Sequence, residues 1–105
     1  MRRAALLGMS LLASCGSRPS PYDAVKPIID RHCTSCHSAA PTRSDYTQPP
    51  LGVVLETPEQ VKKHAIRIKA LAVTTQTMPL GNTTGMTEAD RRQLGKWIDA
   101  GAPIE

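Results

Sequence analysis

Residues 33–37 read Cys33-Thr34-Ser35-Cys36-His37, and this stretch decides how the rest of the chain is interpreted. Two thiols three residues apart at a helix end can each form a thioether bond with one of the two vinyl groups of a single haem. The residue that follows then brings an imidazole to the iron. The stretch therefore predicts one covalently bound haem c, held by Cys33 and Cys36, with His37 as an axial iron ligand.

Three other uses of this stretch find less support in the rest of the sequence. A zinc site commonly has four ligands, and only His32 and His64 remain to complete one. A thioredoxin-like dithiol pair lies after a strand in an α/β fold, but no strand signal precedes Cys33. A disulfide between Cys33 and Cys36 closes a loop too short to add much stability. Haem attachment is the use that accounts for all of the motif.

Met78 is the predicted second axial ligand. A thioether sulfur is a soft ligand that favours reduced iron, and Pro79 restricts the backbone of Met78 to extended conformations. Met86 is the second candidate, although we expect it to pack against the start of the last helix. His64 lies at the edge of an apolar helix face and would give bis-histidine ligation instead, whereas His32 is expected on the surface.

Apolar periodicity predicts three helices, with no strand signal and no internal repeat. The first begins near Val25 or Lys26 and runs into the cysteine motif, the second runs from Thr57 to about residue 73, and the last spans 87–100. The two later helices open with capping-box sequences, Thr57-Pro58-Glu59-Gln60 and Thr87-Glu88-Ala89-Asp90. Segments 38–56 and 74–86 show no period, so irregular loops are expected there. The fold class is therefore predicted as all-α, with three to four helices around one haem.

The expected core contains few large rings, because the chain has no Phe, one Trp and two Tyr. On the last helix an apolar stripe contains Leu94, Trp97 and Ile98, and Gly95 beside it allows another helix to approach closely. Trp97 is expected in the core where the first and last helices meet. A buried prosthetic group would supply the volume that aromatic side chains usually fill.

Residues 1–14 are similar to the signal peptide of a bacterial lipoprotein. Arg2 and Arg3 precede an apolar stretch much shorter than the roughly 20 residues that span a bilayer, and Leu12-Ala13-Ser14-Cys15 resembles a lipobox. We therefore expect a lipid-modified Cys15, a flexible tether over 15–21 and one domain over 22–105. The alternative is an ordinary signal peptide cut a few residues later, which gives a soluble periplasmic protein.

The charge balance argues against nucleic-acid binding. The formal net charge is +4, and removal of residues 1–14 takes away Arg2 and Arg3, which leaves 11 basic residues against 9 acidic ones. No dense basic stripe interleaved with aromatic residues remains to contact a phosphate backbone.

Taken together, these features resemble class I cytochromes c, which combine the Cys-x-x-Cys-His motif, a later Met-Pro and terminal helices whose apolar faces cross. More narrowly, three segments are similar to the C-terminal cytochrome domain of bacterial membrane-bound urate oxidases: Cys-His-Ser-Ala-Ala-Pro-Thr from Cys36, Thr-Pro-Glu-Gln from Thr57, and Met-Pro-Leu-Gly-Asn-Thr-Thr-Gly-Met-Thr from Met78. That family carries a large membrane domain before its haem domain, where this chain has a lipoprotein-like leader. The resemblance implies a haem domain and does not extend to urate chemistry.

The resulting expectation is an electron carrier rather than an enzyme, since no set of residues suggests acid–base catalysis. We expect it on the periplasmic side of a bacterial membrane, exchanging electrons with a redox partner such as an oxidase or dehydrogenase, to which it serves at most as accessory subunit or electron acceptor. The alternative is a haem c accessory or sensor protein with an open or bis-histidine iron site.

Overall fold

The computed structural model describes residues 19–105, and all regular structure in that range is helical. The helices are α1 (Lys26–His32), α2 (Pro58–Lys63), α3 (Ala65–Ile68) and α4 (Glu88–Asp99), and no strand occurs among the described residues. The all-α prediction is therefore confirmed. The predicted leader over 1–14, the lipid-modified Cys15 and the first part of the tether lie outside the described residues.

A short 3₁₀ turn, Pro21–Ala24, precedes α1 and was not expected from the sequence. The hydroxyl of Ser20 accepts a hydrogen bond from the backbone N–H of Tyr22, which caps this turn. Pro27 lies in the first turn of α1, where a missing N–H costs nothing. The apolar residues Val25, Ile28 and Ile29 are buried as the spacing predicted.

The predicted helix from Thr57 to residue 73 is interrupted, so that prediction was only partly correct. Its start is as expected, because Thr57 and Gln60 form a complete capping box. Regular α-helix ends at Lys63, resumes as α3 after His64, which has φ −100° and ψ 10°, and continues as a π-helical stretch, Lys69–Thr74. The segment still buries one face, formed by the four residues that the sequence predicted to share it: Val61, Ala65, Ile68 and Ala72.

Helix α4 begins and ends close to the predicted positions. Thr87 and Asp90 form its capping box, and Gly101, with φ +98°, follows its last turn in a conformation that favours glycine. A Cβ added at Gly95 would lie 3.0 Å from Cγ1 of Val73. The predicted close approach at Gly95 is therefore present, and its partner is the π-helical stretch.

Trp97 lies in the core, at the contact between α4 and the turn before α1. Its ring packs edge-on against Tyr22 with centroids 5.6 Å apart, and its indole N–H donates to the carbonyl of Pro103 at 2.9 Å. The side-chain amide of Gln93 donates to the carbonyl of Ala24 and joins the same two elements. These contacts hold the N-terminal segment against α4, and the cysteine motif follows directly from α1.

Candidate functional site

One cavity brings together the four residues that the sequence predicted as haem-binding: Cys33, Cys36, His37 and Met78. The cavity and its open mouth hold about 1010 Å³ of empty space, lined mainly by apolar side chains from α1, both long loops and α3 with its π-helical extension. Two segments of chain that are some 40 residues apart in sequence therefore line one partly open cavity. A rigid, largely apolar ligand suits such a site better than a small polar substrate.

The cysteine motif continues from the last turn of α1. The Cys33 N–H donates to the carbonyl of Ile29, and the His37 N–H donates to the carbonyl of Cys33, both at 2.9 Å. Cys33 and Cys36 are not joined by a disulfide. Burial raises the pKa of the Cys33 thiol to about 12, and the nearby Asp30 contributes to this rise. A neutral sulfur is therefore favoured at this position.

His37 is held at two points by the loop that follows it. Its Nδ1 lies 3.0 Å from the carbonyl oxygen of Val53, and its own carbonyl accepts a hydrogen bond from the N–H of Leu55 at 2.8 Å. A proton on Nδ1, donated to the Val53 carbonyl, leaves the lone pair on Nε2. Within residues 19–105 no hydrogen bond occupies Nε2, so the ring is oriented as metal-ligating histidines are.

The loop over 38–56 is irregular, as predicted, apart from a 3₁₀ turn, Pro50–Gly52. It is nevertheless anchored to the cysteine motif, because the N–H groups of Thr42 and Arg43 both donate to the carbonyl of Ser35. At its far end the carboxylate of Glu56 accepts a hydrogen bond from the N–H of Ala39 at 2.7 Å. The loop thus closes on itself around the cavity.

Met78 is half-buried in the cavity wall, with both backbone polar groups satisfied. Its N–H donates to the carbonyl of Leu71 at 3.0 Å, and its carbonyl accepts a hydrogen bond from Nη1 of Arg91 at 2.9 Å. Met86 lines the same cavity but is 4% exposed and packed in the core, immediately before the N-cap of α4. The side-chain amide of Asn82 bonds both the N–H and the carbonyl of Met86.

Cationic and aromatic side chains lie among the residues that line the cavity. Arg43 pairs with Asp45 at 2.8 Å, and its guanidinium carbon lies 5.9 Å from the ring centroid of Tyr46. Arg67 is exposed, and in the described part of the chain no carboxylate pairs with it. His64 also lines the cavity, so the sequence-based alternative of histidine ligation has a candidate in the same space.

The expectation that His32 is a surface residue was wrong. Its side chain is buried, with Nδ1 2.8 Å from Oγ1 of Thr84 and Nε2 3.2 Å from Oδ2 of Asp90. It follows Ile28 and Ile29 by four and three residues, so its helical position already indicated the buried face. Its polar partners lie more than 50 residues away in sequence, which is why they were not foreseen.

Arg91 is a second buried polar residue that the sequence analysis did not single out. Its residue exposure is 4%, and Nη1 donates to the carbonyls of both Ala72 and Met78. Arg91 precedes Leu94 by three residues and Ile98 by seven, so its position on the apolar stripe of α4 already indicated that it is buried.

The described residues give little support to a zinc site or a reactive dithiol at the cysteine motif. Among residues 19–105, no group of three or more His, Cys, Asp and Glu side chains is placed to hold a metal ion. A reactive dithiol depends on a thiol whose pKa is lowered, whereas the pKa of Cys33 is raised. None of the helices described here is both long and apolar enough to span a bilayer.

Comparisons of the chain with profiles of known protein families, with characterised proteins and with solved structures gave no significant match.

Proposed function

We propose that this chain is a small electron-transfer protein of the class I cytochrome c type, with one haem c bound to Cys33 and Cys36. The observation that carries the proposal is that these two sulfurs, the imidazole of His37 and the thioether of Met78 line one largely apolar cavity. The haem supplies one-electron chemistry by cycling its iron between the ferric and ferrous states. The protein supplies covalent attachment, axial ligation and a largely apolar pocket.

The residues present fit such a group. Thioether sulfurs are uncharged, and the burial that raises the pKa of Cys33 favours an uncharged sulfur. The hydrogen bond from His37 to the Val53 carbonyl orients the ring and leaves Nε2 available to iron. The cavity also accounts for the shortage of aromatic residues in the core, since a porphyrin would occupy the space between α1, the loops and α3.

The polar lining suits the two carboxylates that a haem carries on one edge. Arg67 brings positive charge to the cavity, and Arg43, whose Nε also pairs with Asp45, brings a second guanidinium. Guanidinium groups bind carboxylates strongly and with defined geometry. The Tyr46 hydroxyl adds a hydrogen-bond donor beside Arg43. A ligand with an apolar body and an anionic edge would therefore be oriented in one direction.

Met78 is the sixth ligand in this proposal, giving histidine–methionine ligation. Its backbone is fixed on both sides by Leu71 and Arg91, whereas the side chain of Met86 is already packed in the core. The second candidate function is a haem c accessory or sensor protein with an open or bis-histidine iron site. It is favoured by one observation, that His64 lines the same cavity.

The cellular setting completes the proposal. A lipid-modified Cys15 would tether the domain to a bacterial membrane on its periplasmic side, and a redox partner such as a dehydrogenase or oxidase would exchange electrons with it. The alternative is a soluble periplasmic protein without a lipid anchor. Extraction separates the two, because only the lipid-anchored form needs detergent to leave the membrane.

The ligand assignment is tested by absorption spectroscopy of the purified haem protein and two variants. Met78→Ala should keep its covalent haem but lose the weak long-wavelength ferric band that arises from sulfur coordination to iron. His64→Ala, which removes another lining residue, is the matched control and should keep that band. If neither variant loses the band, Met78 is not an iron ligand. If the spectrum changes only in His64→Ala, bis-histidine ligation is supported.

A further inference from the structure

Within residues 19–105, Arg91 is a buried cation with no carboxylate at hydrogen-bond distance. Its side chain is 5% exposed, and the nearest acidic oxygen belongs to Glu88, 3.9 Å from Nε and on a side chain that is 65% exposed. The close partners of the guanidinium are instead two backbone carbonyls, those of Ala72 at 2.5 Å and Met78 at 2.9 Å.

The burial of this guanidinium has an energetic cost, and its hydrogen bonds show which segments it holds in place. Burial of a charged group carries a large desolvation penalty, which hydrogen bonds to the buried charge must offset. The two carbonyls belong to different parts of the chain: Ala72 lies in the π-helical stretch at the end of α3, and Met78 lies in the loop beyond it. One atom, Nη1, therefore ties the helix end and the loop to α4.

The second backbone contact of Met78 limits the loop from the other side. The Met78 N–H donates to the carbonyl of Leu71. Without Arg91, this would be the one backbone hydrogen bond left to Met78, because the Met78 carbonyl would lose the guanidinium that donates to it. Loops with few backbone anchors open locally at low free-energy cost. The contact with Arg91 is therefore placed to control how often the Met78 segment leaves the cavity wall.

We propose that Arg91 is a positioning residue, which holds the Met78 segment in the cavity wall so that the sulfur stays on the iron. This rests on the proposed function, because it assumes that Met78 is an iron ligand. Arg91 acts through the backbone of Met78 and does not itself touch the cofactor in this proposal.

The test is a titration of the ferric haem protein with imidazole, a ligand that binds iron only when the sulfur leaves. The apparent affinity for imidazole rises with the fraction of molecules in which the segment is open. We expect Arg91→Leu to raise this affinity about tenfold or more, which corresponds to roughly 1.4 kcal/mol. Arg91→Lys, which keeps a cationic donor, should fall between Arg91→Leu and the wild type.

Two variants of the same helix separate positioning from general destabilisation. Leu94→Ala removes a fully buried core side chain and should lower the unfolding temperature while changing the imidazole affinity less than about twofold, because global unfolding is too rare to contribute. Arg92→Leu changes an exposed neighbour and should alter neither property. If Arg91→Leu and Leu94→Ala raise the affinity equally, Arg91 has only a structural role and the proposal is overturned.

The remaining outcomes are also decisive. If folded Arg91→Leu binds imidazole within about twofold of the wild type, the proposal is overturned. If Arg91→Leu does not yield a folded haem protein, Arg91→Met, an unbranched side chain without a donor, replaces it and is judged by the same limit. If the wild type already binds imidazole as Met78→Ala does, Met78 is not a ligand. In that case the ligand assignment under the proposed function has failed first, and the role of Arg91 falls with it.

Discussion

Replacement of Asp90 by alanine should destabilise the protein, because its carboxylate joins two parts of the fold. Oδ2 of Asp90 accepts a hydrogen bond from the Thr87 N–H at 3.1 Å, which completes the capping box of α4. The same atom lies 3.2 Å from Nε2 of the buried His32. His32 directly precedes the cysteine motif, so the carboxylate links α4 to the end of α1.

The expected magnitude follows from the two contacts. Loss of a capping hydrogen bond costs about 1 kcal/mol, and loss of the partner of a buried imidazole costs about 1–3 kcal/mol. Alanine returns roughly 0.5 kcal/mol through its higher helix propensity. A net loss of about 2 kcal/mol lowers the unfolding temperature of a domain of this size by roughly 8–16 °C.

The assay is thermal unfolding of wild type and Asp90→Ala between pH 3 and pH 7. The backbone hydrogen bond from Thr87 lowers the pKa of Asp90, and the nearby His32 adds to the effect. A carboxyl whose pKa is lower in the folded state stabilises the protein above its unfolded pKa, about 4, and loses this contribution as the pH falls through the folded value. The difference between the two proteins should therefore shrink below about pH 4.

Asp99→Ala is the matched control, since it makes the same substitution near the other end of α4. Asp99 is 60% exposed in its side chain, and its ion-pair partner in the described part of the chain is Lys69. Such surface pairs contribute about 0–1 kcal/mol. Removal of an acidic group near a helix C-terminus also stabilises the helix slightly, because it removes an unfavourable interaction with the helix dipole. If Asp90→Ala costs no more than Asp99→Ala at pH 7, the assigned role of the Asp90 carboxylate is wrong.

Two further substitutions test the packing around the site. Gly95→Val should lower stability by about 1–3 kcal/mol in denaturant unfolding, because a side chain there meets Val73; unchanged stability would show that the contact relaxes freely. Trp97→Phe should cost about 1–2 kcal/mol in the same assay, because it leaves the Pro103 carbonyl without its indole donor while preserving a ring against Tyr22. A loss no larger than that of a conservative surface change would contradict the importance of this hydrogen bond.

The helix starts were predictable from the sequence because their signals are local. Thr57 and Thr87 each lie three residues before a side chain that completes a capping box, and both boxes are formed. The membership of Cys33, Cys36, His37 and Met78 in one site was also predicted, and all four line one cavity.

The features that were missed depend on contacts between distant segments. No local pattern of residues 57–73 marks the break at His64 or the π-helical stretch after α3. The π-helical stretch packs against α4, where Val73 lies close to Gly95, and this contact joins segments distant in sequence. His32 was placed on the surface, and Arg91 was not considered, because polar side chains are usually solvated. Their burial depends on partners such as Thr84 and the Met78 carbonyl, supplied by the loop over 74–86.

The most direct measurement is the intact mass of the chain after expression and export in a bacterium that has the machinery for covalent haem attachment. We expect one species heavier than the mature polypeptide by the mass of one haem, and no such increase when Cys33 and Cys36 are both replaced by serine. A wild-type chain that folds stably and carries no added haem would contradict the account.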